Sequence, residues 1–209
     1  MVAYKVMTKK EVASVVADFS AAMPGWQILD KSALYRDCGP VRQMIWFQAL
    51  RTGAYRPMNG VSALSQPLAR MLAQMLDVRH RETKLSQHAE RLPETLSAMK
   101  QQFQPAILEA LDVAEVTRLC DAAARETTND FTMLAILHAW LGHKTEALDY
   151  CERLQRCPMP TLGPVPEWEE RMRSFGRSLA RAVGAGTERA FLERSAEEAQ
   201  PGGGGDLAG

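Results

Sequence analysis

An α+β fold, mostly helical, is predicted by three features of this chain. The bulky apolar run Val41–Leu50 (VRQMIWFQAL) reads as a strand, apolar on both faces around Met44-Ile45-Trp46-Phe47 and so covered on both sides. Turn signals at Pro24-Gly25, Cys38-Gly39-Pro40 and Thr52-Gly53 cut the surrounding segment into short extended pieces. Beyond Pro67, apolar residues recur at helical spacing. Together these predict a helix and a small antiparallel β-meander over 1–66, then a multi-helix layer over 67–199. The two parts read as separate regions or as one compact domain. Residues 200–209 (QPGGGGDLAG) read as a disordered tail with no core to join.

The elements follow in order. Thr8 and Glu11 form a capping-box signature that opens a helix over 8–22, with Val12, Val15, Val16 and Phe19 inward. Trp26–Leu29 and Ala33–Tyr35 read as extended. Tyr55 and Val61–Leu64 add a third strand, interrupted by Pro57 and by Asn59-Gly60; Pro57 suits an edge. Leu68, Met71, Leu72, Met75 and Leu76 share one helical face. Residues 78–90 are polar and fit a loop, a helix or an edge strand.

Leu92, Leu96, Met99 and Phe103 mark the next helix, with Pro93 near its first turn and Pro105 ending it. Asp112 and Glu115 open another, with Val113, Val116, Leu119 and Cys120 inside. Asn129 or Asp130 caps a helix carrying Met133, Leu134, Leu137, Trp140 and Leu141. Gly142 ends it in a left-handed conformation. Ala147, Leu148, Cys151 and Leu154 line the helix after that, and Pro158 stops it. A proline-rich linker runs through Pro166. A helix over 168–183 ends at Gly184–Gly186, and a short acidic helix covers 188–199.

Composition narrows the class. The chain has 209 residues, 46% hydrophobic and 24% charged, as in ordinary globular proteins. No stretch has the roughly 18 apolar residues that a membrane-spanning helix needs. The N-terminus lacks an apolar signal core, so a cytoplasmic location is expected. The four cysteines, Cys38, Cys120, Cys151 and Cys157, form no CxxC; Cys120 and Cys151 fall on apolar faces and read as core thiols. The charge is zero overall but divided. Residues 1–100 hold 14 Lys/Arg against 8 Asp/Glu, and residues 101–209 hold 11 against 17.

Within Ala135–Pro158, Leu141-Gly142, Ala147, Tyr150 and Pro158 follow the spacing of a helix pair with a tight turn. A small residue lets the helices approach, and glycine permits the turn. This stretch resembles a single tetratricopeptide repeat, with no second copy at a period of about 34 residues. The resemblance implies partner binding. The layout of helix, meander and helices also resembles bacterial immunity-type proteins of toxin systems, as an architectural likeness alone.

Motifs for chemistry are missing. His80 and His88 are eight apart, and His138 and His143 are five apart across a turn; neither spacing matches HExxH or a zinc finger. His88-Ala89-Glu90 lacks the PCxxC partner of zinc deaminases. There is no GxSxG and no phosphate loop. No cofactor or metal is expected.

The reading is therefore a non-catalytic protein-interaction module: an adaptor, accessory or immunity-type protein. Its candidate partner-binding residues are Arg36, Arg42, Trp46, Gln48, Arg51 and Arg56 in the sheet half, and Trp140, His143 and Tyr150 in the helix pair. Strand alternation puts Arg42, Met44, Trp46 and Gln48 on one face and Arg51 on the other. One alternative is an enzyme whose site gathers Arg42, His80, His88 and Glu94. A second is nucleic-acid binding through the basic half, with Arg36, Arg42, Arg51 and Arg56 beside Tyr35, Trp46 and Tyr55, and Arg79, His80, Arg81 and Lys84 nearby.

Overall fold

A computed structural model describes residues 6–66, 68–158 and 166–199. The predicted tail at 200–209 and most of the proline-rich linker lie outside the described residues. The fold is α+β: one helix, a β-meander, then helices. Its described residues divide into two compact units, those up to Asp37 with Arg42–Val61 and Leu72–Asp112, and Cys38–Val41 with Ser62–Met71 and those from Val113 onward.

In the first unit α1 (Lys9–Ala22) opens as expected. Thr8 accepts from the Glu11 amide at 3.2 Å, and Glu11 Oε2 accepts from the Thr8 amide at 2.7 Å. The strands are β1 (Gln27–Leu29), β2 (Ala33–Cys38), β3 (Val41–Ala49), β4 (Ala54–Ala63), β5 (Arg70–Met75) and β6 (Thr83–Lys84). They form one sheet in the order β1-β2-β3-β4-β5, with β6 also paired to β4. Ile28 faces Leu34 across β1 and β2, and Tyr55 faces Thr83 across β4 and β6.

Three expectations for this region need correction. Residues 70–75 are strand, not helix. The spacing of Met71, Leu72, Met75 and Leu76 satisfies a helix, but pairing with β4 wins. The hairpin is started by the Ala63 amide donating to the Ala69 carbonyl at 3.1 Å. Leu72, at φ +56°, is in the left-handed region that bulky residues avoid, so extended geometry is interrupted there. β4 is also one continuous strand through Pro57 and Asn59-Gly60. Finally, β3 is not covered equally on both faces: Val41, Gln43, Ile45 and Phe47 are buried, while Arg42, Met44 and Trp46 are half-buried and Gln48 is exposed.

The buried face packs on α1 and on α2 (His88–Gln102). Phe19 of α1 stacks on Phe47 at 4.7 Å between centroids and meets Tyr55 edge-on at 6.2 Å. α2 starts at His88, inside the ambiguous 78–90 stretch. Pro93 is therefore its sixth residue and lies beyond the first turn. A polar layer crosses this core. Gln43 and Asn59 are fully buried, and Gln43 Nε2 donates to Asn59 Oδ1 at 3.0 Å and to the Pro105 carbonyl at 2.7 Å. Buried amides need such partners, and here they fasten the segment after α2 to the sheet.

The second unit holds α3 (Val113–Ala123), α4 (Thr128–Trp140), α5 (Lys144–Arg156), α6 (Glu167–Ala185) and α7 (Glu188–Ala199). The cap of α4 is Thr127 rather than Asn129 or Asp130. Asp130 is instead the far member of a capping box, its amide donating to Thr127 Oγ1 at 3.2 Å. Eleven of the thirteen residues of α4 are buried, so it has no solvent face, and it contacts α3, α5, α6 and α7. Gly142, at φ +76°, makes the turn into α5. α5 buries one stripe, Ala147, Cys151 and Leu154. Gly176 of α6 admits Leu154: a Cβ there would lie 2.6 Å from Leu154 Cδ2.

α5 and α6 are locked by charge. Arg173 is buried, donates to Glu169 Oε1 at 2.8 Å, and caps the C-terminal carbonyls of α5 at Gln155 (2.7 Å) and Cys157 (2.8 Å). Glu169 is wholly buried. Removing one partner strands the other charge in the core. Arg173→Ala is expected to lower the unfolding free energy by roughly 3–5 kcal/mol. Arg171→Ala, which breaks an exposed ion pair to Glu167, is expected to cost less than about 1 kcal/mol. Urea denaturation of both variants checks the contrast; equal losses would contradict it.

Candidate functional site

In the sheet unit three of the expected basic residues, Arg36, Arg42 and Arg56, are engaged within the chain. Arg36 lies on the core face. Its Nε donates to Gln43 Oε1 at 2.9 Å, its guanidinium reaches the carbonyls of Ala106 and Glu109, and it stacks over Trp26 at 5.0 Å. Trp26 Nε1 in turn donates to the Ile107 carbonyl at 2.9 Å. Arg36 thus anchors the loop after α2.

Arg42 lies on the opposite face. It makes a two-pronged pair with Asp37, at 2.7 and 2.8 Å, and stacks over Tyr35 at 4.3 Å. Arg56 is half-buried, paired with Glu82 at 2.5 Å and touching Met75 Sδ. Arg51 belongs to the β3–β4 turn, not to a strand face, and is exposed. Arg42, Met44, Trp46 and Gln48 do share a face of β3 by alternation, with Trp46 half-buried.

The residues of the enzymatic alternative are joined only in part. His80 is held between two carboxylates, Nδ1 to Asp77 at 2.9 Å and Nε2 to Glu94 at 3.2 Å. His88 is engaged elsewhere, with Nδ1 2.8 Å from the Tyr55 hydroxyl and Nε2 3.1 Å from Asp18. Arg42 is taken by Asp37.

In the helical unit Trp140, His143 and Tyr150 occupy the end where α4 turns into α5. Trp140 is half-buried, with Arg189 of α7 over its ring at 4.1 Å. Gly39 fits against it: a Cβ there would meet the indole at 2.9 Å, and φ is +55°. Trp140 is therefore a packing residue.

Tyr150 and His143 belong to a cluster that also holds Asp121 and His138. Tyr150 donates its hydroxyl to Asp121 Oδ1 at 2.7 Å, and its ring stacks on His138 at 5.4 Å. His138 Nδ1 lies 3.3 Å from His143 Nδ1. Its Nε2 lies 3.3 Å from Asp121 Oδ2, close enough for an ion pair but off the hydrogen-bond line, and is buried with no other partner among the described residues.

Beside them opens a groove of about 440 Å³ lined by Asp121, His138, Thr145, Glu146, Asp149 and Tyr150. Three carboxylates with an aromatic wall make it suited to cationic groups. Asp121 escapes sequence inspection because it comes from α3 and meets the His138–His143 pair only through packing. Asp121 is next to the buried Cys120, the one local hint that it lies at the edge of the α3–α4 seam.

Among the described residues no group of three or more His, Cys, Asp or Glu side chains is placed to hold a metal ion. No described helix is long and apolar enough to cross a membrane. The class these features define is an α+β protein with an acidic, aromatic-walled groove at a helix-pair turn. No protein-family model, curated protein or solved structure matches the chain.

Burial, aided by Asp121, pushes the Tyr150 phenol up to about 12, and burial likewise raises Tyr55 to about 12. Both values lie above the ordinary tyrosine value of 10.0, so the folded state disfavours the phenolates. Their stabilising contribution is complete below pH 10.0 and is lost as the pH rises through about 12. An alkaline ultraviolet titration is expected to show two late phenolates, one of them absent in Tyr150→Phe. Ionisation of Tyr150 near its ordinary value would contradict the hydrogen bond to Asp121.

Proposed function

We propose that the protein is a non-catalytic, cytoplasmic protein-interaction module of the adaptor, accessory or immunity type, and that it recognises its partner at the α4–α5 corner. The observation that carries this reading is the groove beside Tyr150, where Glu146 and Asp149 are exposed. The sheet-half arginines support it by contrast. Arg36, Arg42 and Arg56 are committed to carbonyls, Asp37 and Glu82, which also weighs against phosphate contacts and a nucleic-acid partner.

The likeness of residues 135–158 to a tetratricopeptide repeat points to the same corner. Since α4 is buried all round, the outer face of α5 is what the pair has left to offer. The four cysteines are free thiols, in keeping with a reducing compartment.

The test is parallel affinity capture from the native host with the wild-type chain, Glu146→Lys/Asp149→Lys and Arg51→Glu. A partner held by the wild type and by Arg51→Glu, but lost from the double reversal, is the expected result. A partner lost only from Arg51→Glu would move recognition to the sheet half. A chain recovered alone from all three would contradict the module reading.

A further inference from the structure

We propose that His138 and His143 form a binding site for a divalent transition-metal ion of the zinc type, with the remaining coordination positions left to solvent or to a donor from a partner. The site stands on the spacing and surroundings of the two rings and is independent of the partner reading.

The two Nδ1 atoms are 3.3 Å apart. Zinc binds imidazole nitrogen at about 2.0–2.1 Å in tetrahedral geometry, which sets two ligating nitrogens about 3.3–3.4 Å apart. The pair thus already has the separation that one ion requires. Without metal, the contact is a hydrogen bond in which one nitrogen donates and the other accepts. Zinc takes both lone pairs, and the bridging hydrogen moves by exchange with solvent to the outer nitrogen of the ring that carried it. Two waters of the hydrated ion leave as the two Zn–N bonds form, and the others fill the remaining positions.

The surroundings are those of a ligating histidine. Such a residue commonly presents its second nitrogen to a carboxylate, which fixes the tautomer and strengthens the ligand. His138 turns its buried Nε2, which has no hydrogen-bond partner among the described residues, towards Asp121 Oδ2 at 3.3 Å, a carboxylate within reach once the ring adjusts to metal, and Asp121 is held in turn by the Tyr150 hydroxyl at 2.7 Å. A proton kept at the buried Nε2 leaves the Nδ1 lone pair free to bind metal. The buried ring is also stacked on Tyr150, so one ligand is preorganised. His143, exposed at the turn, is the second and the route of entry. The carboxylates of Asp121, Glu146 and Asp149 line the adjoining groove and raise the local concentration of cations. Two protein ligands leave two tetrahedral positions open, as in a site completed from outside rather than a closed structural one.

The test titrates the full chain, labelled with nitrogen-15 at histidine, with zinc chloride, and reads binding by calorimetry and the ring nitrogens by NMR. The expected result is one zinc equivalent that moves the Nδ1 signals of His138 and His143 to metal-bound values while Nε2 of His138 keeps its proton. His143→Ala, at an exposed position, should abolish the His138 shift. Asp121→Asn, a positioning change, should weaken zinc roughly ten- to hundredfold. His80→Gln should change nothing. No saturable binding overturns the proposal. So does zinc uptake with unmoved histidine signals, the pattern of thiol binding, or affinity unchanged in His143→Ala. Circular dichroism of each variant separates loss of the site from loss of the fold.

Discussion

The helical unit is organised by a helix that has no polar face. Residues 130–139 of α4 are all buried, so it has to be covered on every side, and four helices do this. At roughly 25 cal/mol per Å² of apolar surface, a helix of this composition is worth far more buried than any surface pair in the unit. Its placement decides where everything else goes. His138 and Trp140, at its C-terminal end, are carried to the turn with no freedom to leave it. α5 buries one stripe, shared between α4 and α6, and its remaining side is left to solvent. The acidic groove is thus a by-product of how α4 must be covered.

Arginine plays a second, unexpected structural part. Arg36 and Arg173 both point inward, onto backbone carbonyls left over where a loop or a helix ends. A guanidinium offers five donors in a fixed fork and suits this task better than lysine. Each fastens one segment to another: Arg36 the loop after α2 to the sheet, and Arg173 the end of α5 to α6. The positive charge counted in the N-terminal half is therefore partly invisible at the surface.

Local signals were legible where a single segment decides its own structure. The Thr8–Glu11 box, the Gly142 turn, and the end of α6 near Gly186 are set by capping and by backbone freedom, and all three read directly from the residues. The apolar spacing at 68–76 was ambiguous because the same positions serve a helix or a strand, and only a partner strand decides. The cap of α4 was misplaced by a few residues because Thr127, Asn129 and Asp130 are all good capping residues. In the site, Tyr150 and His143 were named from the helix-pair pattern. His138 is visible only as a pair with His143 that matches no metal motif, and Asp121 not at all, since no spacing in the chain announces a contact between α3, α4 and α5. Trp140 is packed against Arg189 and Gly39, contacts that no spacing in the chain announces.

The central claim, that α4 is the element on which the helical unit depends, is tested most directly by native-state hydrogen exchange of the full chain. The amides of residues 131–139 should exchange last and with a single free energy equal to that of global unfolding, while those of α7 open earlier. Exchange of α4 ahead of α5 or α7, or through an opening smaller than global unfolding, would contradict the account.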